Sequence, residues 1–310
     1  MSNFRFVIGR FLGAIPTLLI LICLAFFLVK SAPGGPFDFE RSLPEEVEAN
    51  LRAAYNLDDP VYLQLAKYIG DLLQGDFGPS FQYRDYTVTE LISTGFPVSL
   101  RLGIAAILLA LFFGSLIGSI AALNQNSKLD YGVMFFGMVG ISIPNFVMAP
   151  LLVLFFSIGL KALPAGGYNG GDVYHMILPV VSLALPQMAY IARLTRGSMI
   201  EVLSSNFVRT AKAQGLPTRT ILLAHVLKPT LLPVVSYLGP ATAAIITGSV
   251  VVEQIFGLPG LGRYFVQGAL NRDYTLVMGV VVFYGCLIIL FNLVVDTLYG
   301  FIDPKIKQNR

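Results

Sequence analysis

Hydrophobic positions in this chain form long uninterrupted blocks, unlike the alternating or amphipathic patterns of soluble domains. Six windows contain no charged residue: 11–29, 102–127, 131–160, 173–192, 229–252 and 274–295. Each is at least as long as the roughly 18 apolar residues that let a helix cross a bilayer. Backbone polar groups find no water in lipid, so segments of this length are expected to be helical. The pattern predicts an all-α polytopic membrane protein with six transmembrane helices.

Composition supports lipid as the solvent of this chain. The 310 residues are 55% hydrophobic and only 13% charged, whereas soluble domains carry about 25% charged residues. The alternative, helices buried in a large soluble core, is disfavoured by this deficit. Cys23 and Cys286 both fall inside predicted spans, where neither a disulfide nor a metal site is expected.

The first window resembles a signal peptide because it follows Arg5 and Arg10. It is longer than a typical signal-peptide hydrophobic region, and Lys30 occupies a position where signal peptidase requires a small side chain. We therefore expect this window to be an uncleaved membrane anchor.

The distribution of charge predicts the orientation of the spans. With six spans and both termini on one side, that side holds twelve basic and four acidic residues, and the other side nine basic and fourteen acidic. Lys and Arg are enriched in cytoplasmic loops of membrane proteins. Both termini are therefore expected in the cytoplasm.

Segment 31–96 is predicted to be a small helical insertion on the outer side, with eleven acidic and four basic residues. Ser42 predicts the N-cap of a first helix that ends near Asn56, and Gly75 predicts the end of a second helix. The insertion is either a solvated acidic loop or a docking surface for an outside partner. The predicted organisation is a first region 1–30, the insertion 31–96, and a five-helix core 97–310 that contains a cytoplasmic loop 193–230.

The loop between the fourth and fifth windows interrupts this apolar chain with charge of one sign. From Arg193 to Lys228 it holds six basic residues and one acid. Ser205 or Asn206 predicts the N-cap of a helix, and Gly215 predicts its left-handed stop. Pro217 then suits the first turn of a second helix. The pattern predicts a helix–turn–helix at the membrane surface.

Two interpretations of this helix–turn–helix remain open from its residues alone. A basic segment at the membrane surface is typical of a helix that binds anionic lipid. Alternatively it is a coupling element gripped by a cytoplasmic partner, because Ala211 and Ala213 are expected to be exposed and would allow close approach. Arg209 and Lys212 would then reach acidic groups or phosphates of that partner.

The apolar windows carry polar side chains but no Asp, Glu, Lys or Arg, which argues against a proton- or sodium-coupled transporter. Four polar residues are candidates for a translocation path: Asn145, Gln187, Thr242 and Thr247. Single polar residues in spans more often join helices through hydrogen bonds, so both roles stay open. Pro144 and Pro186 are expected to kink their helices.

The stretch EQIFGLPGLG (253–262) predicts a tight non-helical turn after the fifth span. Its alternatives are a gate or docking surface and a purely structural turn.

Motifs of catalysis are missing from the sequence. HExxH and GxSxG are absent, and the Asp172 and His175 pair has no nucleophile placed beside it. The chain also lacks G-x-x-x-x-G-K-[ST], the loop that cradles ATP phosphates. An enzyme is disfavoured, an ATP-independent channel is a further alternative, and no catalytic or metal-ligating residue is predicted.

The loop RTAKAQGL…LLAHVLKPTLLPV resembles the cytoplasmic loop of ABC importer permeases in its peptide branch. The general pattern there is Glu-Ala-Ala, three residues, Gly, nine residues and Ile-x-Leu-Pro. Ala211 and Gly215 match it, whereas Arg209 and Thr210 replace Glu-Ala and His225 replaces the isoleucine. GDFGPSFQYRDYTV, SIPNFVMAPLL, ITGSVVVEQIFGLPGLG and DTLYGFIDPKIK extend the resemblance, in order, over essentially the whole chain. The chain is thus similar to the first of the two permeases of bacterial oligopeptide ABC importers.

This resemblance implies a type I importer permease of the bacterial inner membrane. The implied partners are a second homologous permease, two cytoplasmic ATPase subunits, an extracytoplasmic peptide-binding protein, the peptide substrate and membrane lipid, with no nucleic acid. ATP and Mg would bind the ATPases, and this chain would hold no cofactor. Related importers for dipeptides, nickel or another small solute remain the alternative. The residues implied to dock on an ATPase are Arg209, Thr210, Ala211, Lys212, Ala213, Gln214, Gly215, Leu216 and His225.

Overall fold

The computed structural model describes residues 2–31, 58–83 and 85–302, and within these ranges it is almost entirely helical. The helices of eight residues or more are α1 Ser2–Lys30, α2 Val61–Leu73, α3 Val88–Leu123, α4 Lys128–Ser142, α5 Asn145–Leu152, α6 Val173–Leu203, α7 Asn206–Ala213, α8 Leu227–Phe256, α9 Leu261–Leu270 and α10 Tyr274–Ile302. Shorter helical segments are the π-helices Val153–Gly159 and Ile221–Val226, the 3-10 turn Asn169–Gly171 and the single turn Thr218–Thr220.

Five of the six predicted spans are confirmed as long apolar helices. They are Leu12–Lys30, Val88–Leu123, Val173–Leu203, Thr218–Ile246 and Tyr274–Val295. Large apolar side chains such as Leu12, Phe112 and Phe136 are exposed on these helices and on α4. Lipid is the solvent that such surfaces require.

The predicted span 131–160 is a pair of helices with a break between them. Lys128–Ser142 and Asn145–Gly159 are bent by 107° relative to each other. The break falls at Pro144, as its predicted kink implies. Proline lacks an N–H and drives the preceding residue out of the helical region, and Ile143 is accordingly extended at φ −86° and ψ 117°. By contrast, α6 continues through Pro186 without a break.

Helices α3 and α6 form the most extensive helix pair in the described part of the chain. Small residues allow their backbones to approach closely. A Cβ at Gly118 would lie 2.4 Å from the carbonyl oxygen of Ala192, and one at Gly114 would lie 2.8 Å from that of Met188. This closely packed pair is central to the fold, and it ends beside the basic loop.

A buried aspartate joins two segments at the end of the molecule away from the basic loop. Asp273 accepts hydrogen bonds from Ser80 Oγ at 2.5 Å and from the backbone N–H groups of Phe81 and Gln82 at 3.2 and 3.1 Å. It also caps the start of α10 through the N–H of Leu276 at 3.2 Å. The segment after α2 is therefore held on the end of the sixth span.

The described part of the predicted insertion agrees with the sequence patterns. Helix α2 stops before Gly75, which adopts φ +78° as its predicted role requires. Helix α3 begins after Thr87, in a capping box with Glu90, so it crosses the predicted boundary at 96/97. The predicted helix from Ser42 to Asn56 lies outside the described residues.

Candidate functional site

The basic loop contains residues 205–228, which we call the coupling segment after their predicted role. Its first helix, α7, runs from Asn206 to Ala213, with Ser205 in the N-cap position. Gly215 has φ +77°. The N–H of Gly215 donates to Lys212 O at 3.0 Å and that of Leu216 to Ala211 O at 3.2 Å. These two bonds form a Schellman motif, so the predicted left-handed stop at Gly215 is confirmed.

The second half of the coupling segment differs from the prediction of a separate helix at the membrane surface. After Pro217 the chain forms one turn of helix and a π-helix, and it then enters α8 directly. One helix from Thr218 to Ile246 therefore contains both the second half of the segment and the fifth span. A displacement of the turn at Gly215 is consequently applied to a spanning helix without an intervening loop.

The coupling segment is mounted on a small apolar cluster that we call the coupling core. Its buried members are Ala122, Met199, Val208, Ala211, Ile221 and Val226. They come from the ends of α3 and α6 as well as from the segment itself. The expectation that Ala211 is exposed is wrong, because its side chain is only 8% exposed and packs in this core. Ala211 therefore packs inside the segment and presents little surface to a partner.

The remaining docking candidates are on the surface, as their predicted role requires. The exposed ones are Arg209, Thr210, Lys212, Ala213, Gln214, Gly215, Leu216 and His225. Thr210 also donates a hydrogen bond to Asn206 O at 3.0 Å, which ties its hydroxyl to the helix. The structure thus exposes a basic, small-residue turn that is attached to the buried coupling core and accessible to a second protein.

A buried ion pair beside the coupling core was missed by the sequence analysis. Arg196 Nε and Nη2 donate to Asp130 Oδ1 and Oδ2 at 2.5 and 2.7 Å. The N–H of Asn126 donates to the same carboxylate at 2.9 Å. Asp130 is fully buried, and the Arg196 side chain is 25% exposed. The pair joins the start of α4 to α6 about one helical turn from Met199, and Asp130 is one of four acidic residues on the predicted cytoplasmic side.

The described candidate path residues differ in their hydrogen-bond partners. Gln187 Oε1 accepts a hydrogen bond from the Tyr237 hydroxyl at 2.6 Å. Thr242 donates to Leu238 O of its own helix at 2.7 Å. Asn145 Oδ1 is buried and has no partner among the described residues. The side chain of Thr247 lies outside the described part of the structure.

The turn EQIFGLPGLG has a definite structural role. Glu253 is fully buried beyond the end of the fifth span. It accepts hydrogen bonds from Ser249 Oγ at 2.8 Å and from the N–H of Gly262 at 2.7 Å. Ser99 Oγ accepts from the N–H of Leu261 at 2.9 Å. Burial raises the pKa of Glu253, and hydrogen bonds from Ser99, Ser249 and the backbone oppose this. The carboxyl caps the first turn of α9 and fixes the turn against α3.

Asp172 and His175 lie together, with Oδ2 and Nδ1 3.0 Å apart, at the start of α6. Within the described ranges no group of three or more His, Cys, Asp or Glu side chains could hold a metal ion. Asp172 is at the N-cap position of α6, and its side chain makes no capping hydrogen bond to that helix.

Comparison with a solved structure supports this fold. An amino acid ABC transporter, described as a crystal structure with histidines, superposes with a TM-score of 0.53 at 16% identity. The match covers 68% of this chain and 94% of the other. At this identity the likeness concerns the fold alone, which is that of a type I ABC permease.

Curated relatives match almost the whole chain. The oligopeptide transport system permease protein OppB of Salmonella typhimurium is 58% identical over 98% of this chain and 99% of its own length. OppB of Haemophilus influenzae is 56% identical over the same shares. The dipeptide transport system permease protein DppB of Bacillus subtilis is 44% identical over 99% of each chain.

The family model described as the inner membrane component of binding-protein-dependent transport systems matches residues 114–308. This range includes the coupling segment, every buried member of the coupling core and the last four predicted spans. Together with the relatives above it places the chain among multi-pass proteins of the bacterial inner membrane. The chain belongs to the family of inner-membrane permease components of binding-protein-dependent ABC transport systems.

Proposed function

We propose that this chain is one of two paired permeases of an ATP-driven importer that moves oligopeptides into the cytoplasm. Its partners would be a homologous permease, two ATPase subunits below the membrane, and a peptide-binding protein outside it. The observation that carries the proposal is the exposed basic turn of the coupling segment, which is attached to the buried coupling core. A solvated or lipid-bound loop would not need that core.

The coupling segment would insert its exposed turn into a cleft of one ATPase subunit. Arg209 and Lys212 supply positive charge there, and Ala213 and Gly215 permit close approach of the partner. The charge bias of the loops supports a cytoplasmic position for this turn and for both termini.

Movement of the ATPase would reach the membrane by two routes. The first is direct, since the segment continues as the spanning helix Thr218–Ile246. The second passes through the coupling core to α3 and α6, and through Asp130 and Arg196 to α4. Packed elements of this kind switch between discrete arrangements. The π-helix Ile221–Val226 lies at the start of the direct route, and π-helical turns occur frequently at functional sites.

Energy for transport would come from the partners. The chain lacks the phosphate-binding loop of ATPases, so ATP and Mg are assigned to the ATPase subunits and no catalytic residue to this chain. The charge-free spans favour coupling to ATP over coupling to an ion gradient. Gln187 and Asn145 are proposed to face the peptide path, as polar groups that contact the substrate weakly.

The substrate class rests on the relatives. OppB proteins are 56–58% identical to this chain and the dipeptide permease of Bacillus subtilis 44%, so oligopeptides are favoured over dipeptides. A permease for nickel or another small solute is the remaining alternative.

The test is purification of the chain from its native membrane in mild detergent, followed by reconstitution with whatever accompanies it. We expect a homologous permease and ATPase subunits, and ATP-dependent uptake of oligopeptides once the binding protein is added. Uptake of dipeptides or nickel in place of oligopeptides would correct the substrate. A lone chain that conducts solute without ATP would overturn the proposal.

A further inference from the structure

Three polar side chains recur every three residues on one face of α6 and meet a tyrosine of α8. Gln187, Tyr190 and Arg193 occupy successive turns. Tyr237 donates its hydroxyl proton to Gln187 Oε1 at 2.6 Å. The rings of Tyr190 and Tyr237 lie 4.2 Å apart between centroids at 30°, and Arg193 Cζ lies 5.1 Å from the Tyr190 centroid. We call these four residues the inner cluster.

The inner cluster is open on one side. Gln187, Tyr190 and Tyr237 are half-buried, and Arg193 is exposed. The Gln187 amide nitrogen has no hydrogen-bond partner among the described residues, so its N–H donors are available. An amide with free donors is costly in hydrocarbon. The open side of the cluster therefore faces water or another molecule rather than lipid tails.

Arg193 differs in its surroundings from the arginine one turn further along. Arg196 is held by two hydrogen bonds to Asp130. Arg193 has no acidic partner in the described part of the chain, and its guanidinium is held over the Tyr190 ring. A guanidinium fixed by an aromatic face keeps its N–H donors for an anion, and its planar fork matches a carboxylate. Arg193 is therefore placed to bind an anionic group that comes from outside the chain.

A peptide supplies the groups that would complete this cluster. Its backbone carbonyls can accept from the Gln187 amide, its side chains can pack on the tyrosine rings, and its C-terminal carboxylate can pair with Arg193. Arg193 directly follows the charge-free window 173–192, on the side of the coupling segment. A peptide that moves towards the cytoplasm would meet the guanidinium as it leaves the apolar spans.

We propose that the inner cluster is a contact site for the transported peptide and that Arg193 receives its C-terminal carboxylate. This inference rests on the proposed import of oligopeptides and adds a substrate group to one position of the path. Charge-assisted hydrogen bonds of this kind are roughly twice as strong as neutral ones, so loss of the carboxylate or of Arg193 should have a measurable effect on transport.

The test compares a peptide that has a free C-terminal carboxylate with the same peptide as its C-terminal amide. Uptake is measured in proteoliposomes that contain the whole transporter, at concentrations that saturate the binding protein with both forms. The ratio of acid to amide uptake is determined for the unmodified complex, Arg193→Gln and Arg193→Lys. Every complex uses the same binding protein, so its own preference cancels when the ratios are compared. Lys128→Gln, which removes an exposed cation outside both the cluster and the coupling segment, is the control.

We expect Arg193→Gln to lower the acid-to-amide ratio by about tenfold, the effect of one charge-assisted hydrogen bond. Arg193→Lys should give an intermediate ratio, and Lys128→Gln should leave the ratio unchanged. An unchanged ratio in Arg193→Gln would overturn the inference. A loss equal for both peptides that varies with the anionic lipid content of the vesicles would assign Arg193 to a lipid headgroup and overturn it as well. ATP-dependent uptake of neither form by the unmodified complex would instead overturn the proposed function.

Discussion

Gly215 offers the sharpest test of the coupling segment, because the structure separates its conformational role from any steric one. Its φ of +77° lies in the left-handed region, and a Cβ added there would meet no atom within 4 Å. A side chain at this position is therefore opposed by backbone conformation alone. Left-handed backbone costs an L-residue about 1–2 kcal/mol, which corresponds to roughly a five- to thirtyfold change in an equilibrium constant.

Three substitutions of Gly215 should differ in their conformational cost. Gly215→Asn should be the mildest, since asparagine adopts the left-handed region more readily than other residues. Gly215→Ala should incur the full backbone cost, and the β-branched Gly215→Val should exceed it. The variants can escape the cost only by opening the turn, which loses the two Schellman hydrogen bonds at about 1 kcal/mol each. Either response displaces the exposed turn from the position that a partner would recognise.

The assay is titration of purified ATPase subunits onto the permease pair in lipid nanodiscs, with ATP-driven peptide uptake measured in parallel. We expect affinity to fall in the order Gly, Asn, Ala, Val, with Gly215→Ala weakened about five- to thirtyfold by the backbone cost. Equal affinity and uptake for Gly215→Val would refute the role of the turn in docking. A loss for Gly215→Asn as large as that for Gly215→Val would refute the conformational explanation, because the loss would then follow side-chain presence rather than φ.

Three further predictions concern the buried ion pair, the coupling core and the turn 253–262. Asp130→Asn should lower the melting temperature of the purified complex, because removal of one partner from a buried pair costs about 3–5 kcal/mol, and the 25% exposure of Arg196 reduces this cost. Exchanging Asp130 and Arg196 with each other should recover part of the lost stability. No recovery would contradict the described interaction of the pair. Ala211→Leu should lower the free energy of unfolding by about 1–3 kcal/mol, because the larger side chain overpacks the coupling core. Ala213→Leu should leave the melting temperature unchanged and weaken ATPase docking instead. Equal melting temperatures for the two variants would contradict the burial of Ala211. Glu253→Leu should destabilise the protein more than Glu253→Gln, because glutamine keeps one acceptor oxygen for the N-terminus of α9. Faster proteolysis within 257–262 would report the loss of the cap. Equal stability of the two variants would contradict the capping role.

Local signals in the sequence were sufficient for the turns. Gly215 and Gly75 follow helical segments where a left-handed residue is needed, and Pro144 breaks its helix because the missing N–H acts within one turn. These effects depend on residues within a few positions of each other, and sequence reasoning predicted each of them.

Tertiary contacts lay beyond the sequence patterns. The burial of Ala211 depends on Ala122 and Met199, which other helices bring beneath α7. Asp130 and Arg196 are 66 positions apart, and no pattern predicts which of several basic residues meets the aspartate. The role of Glu253 depends similarly on Ser99, far away in the chain.

The length of the second coupling helix was also beyond local reasoning. Lys228 directly precedes the fifth window, yet a basic loop and an apolar span were treated as separate elements because their compositions differ. The backbone continues through that change of composition, since helical hydrogen bonds are indifferent to the polarity of the exposed face. The direct connection from turn to span is therefore a finding of the structure.

The most direct test of the central claim is a disulfide or thiol cross-link from the exposed turn. Cys23 and Cys286 are first replaced, and a single cysteine is introduced at the exposed Ala213, with exposed Val173 at the other end of α6 as the control position. In native membranes, we expect Ala213→Cys to cross-link to an ATPase subunit with a yield that changes on addition of ATP, and Val173→Cys to give no such product. Absence of an ATPase cross-link from Ala213→Cys in membranes that still import peptide would contradict the assignment of the coupling segment.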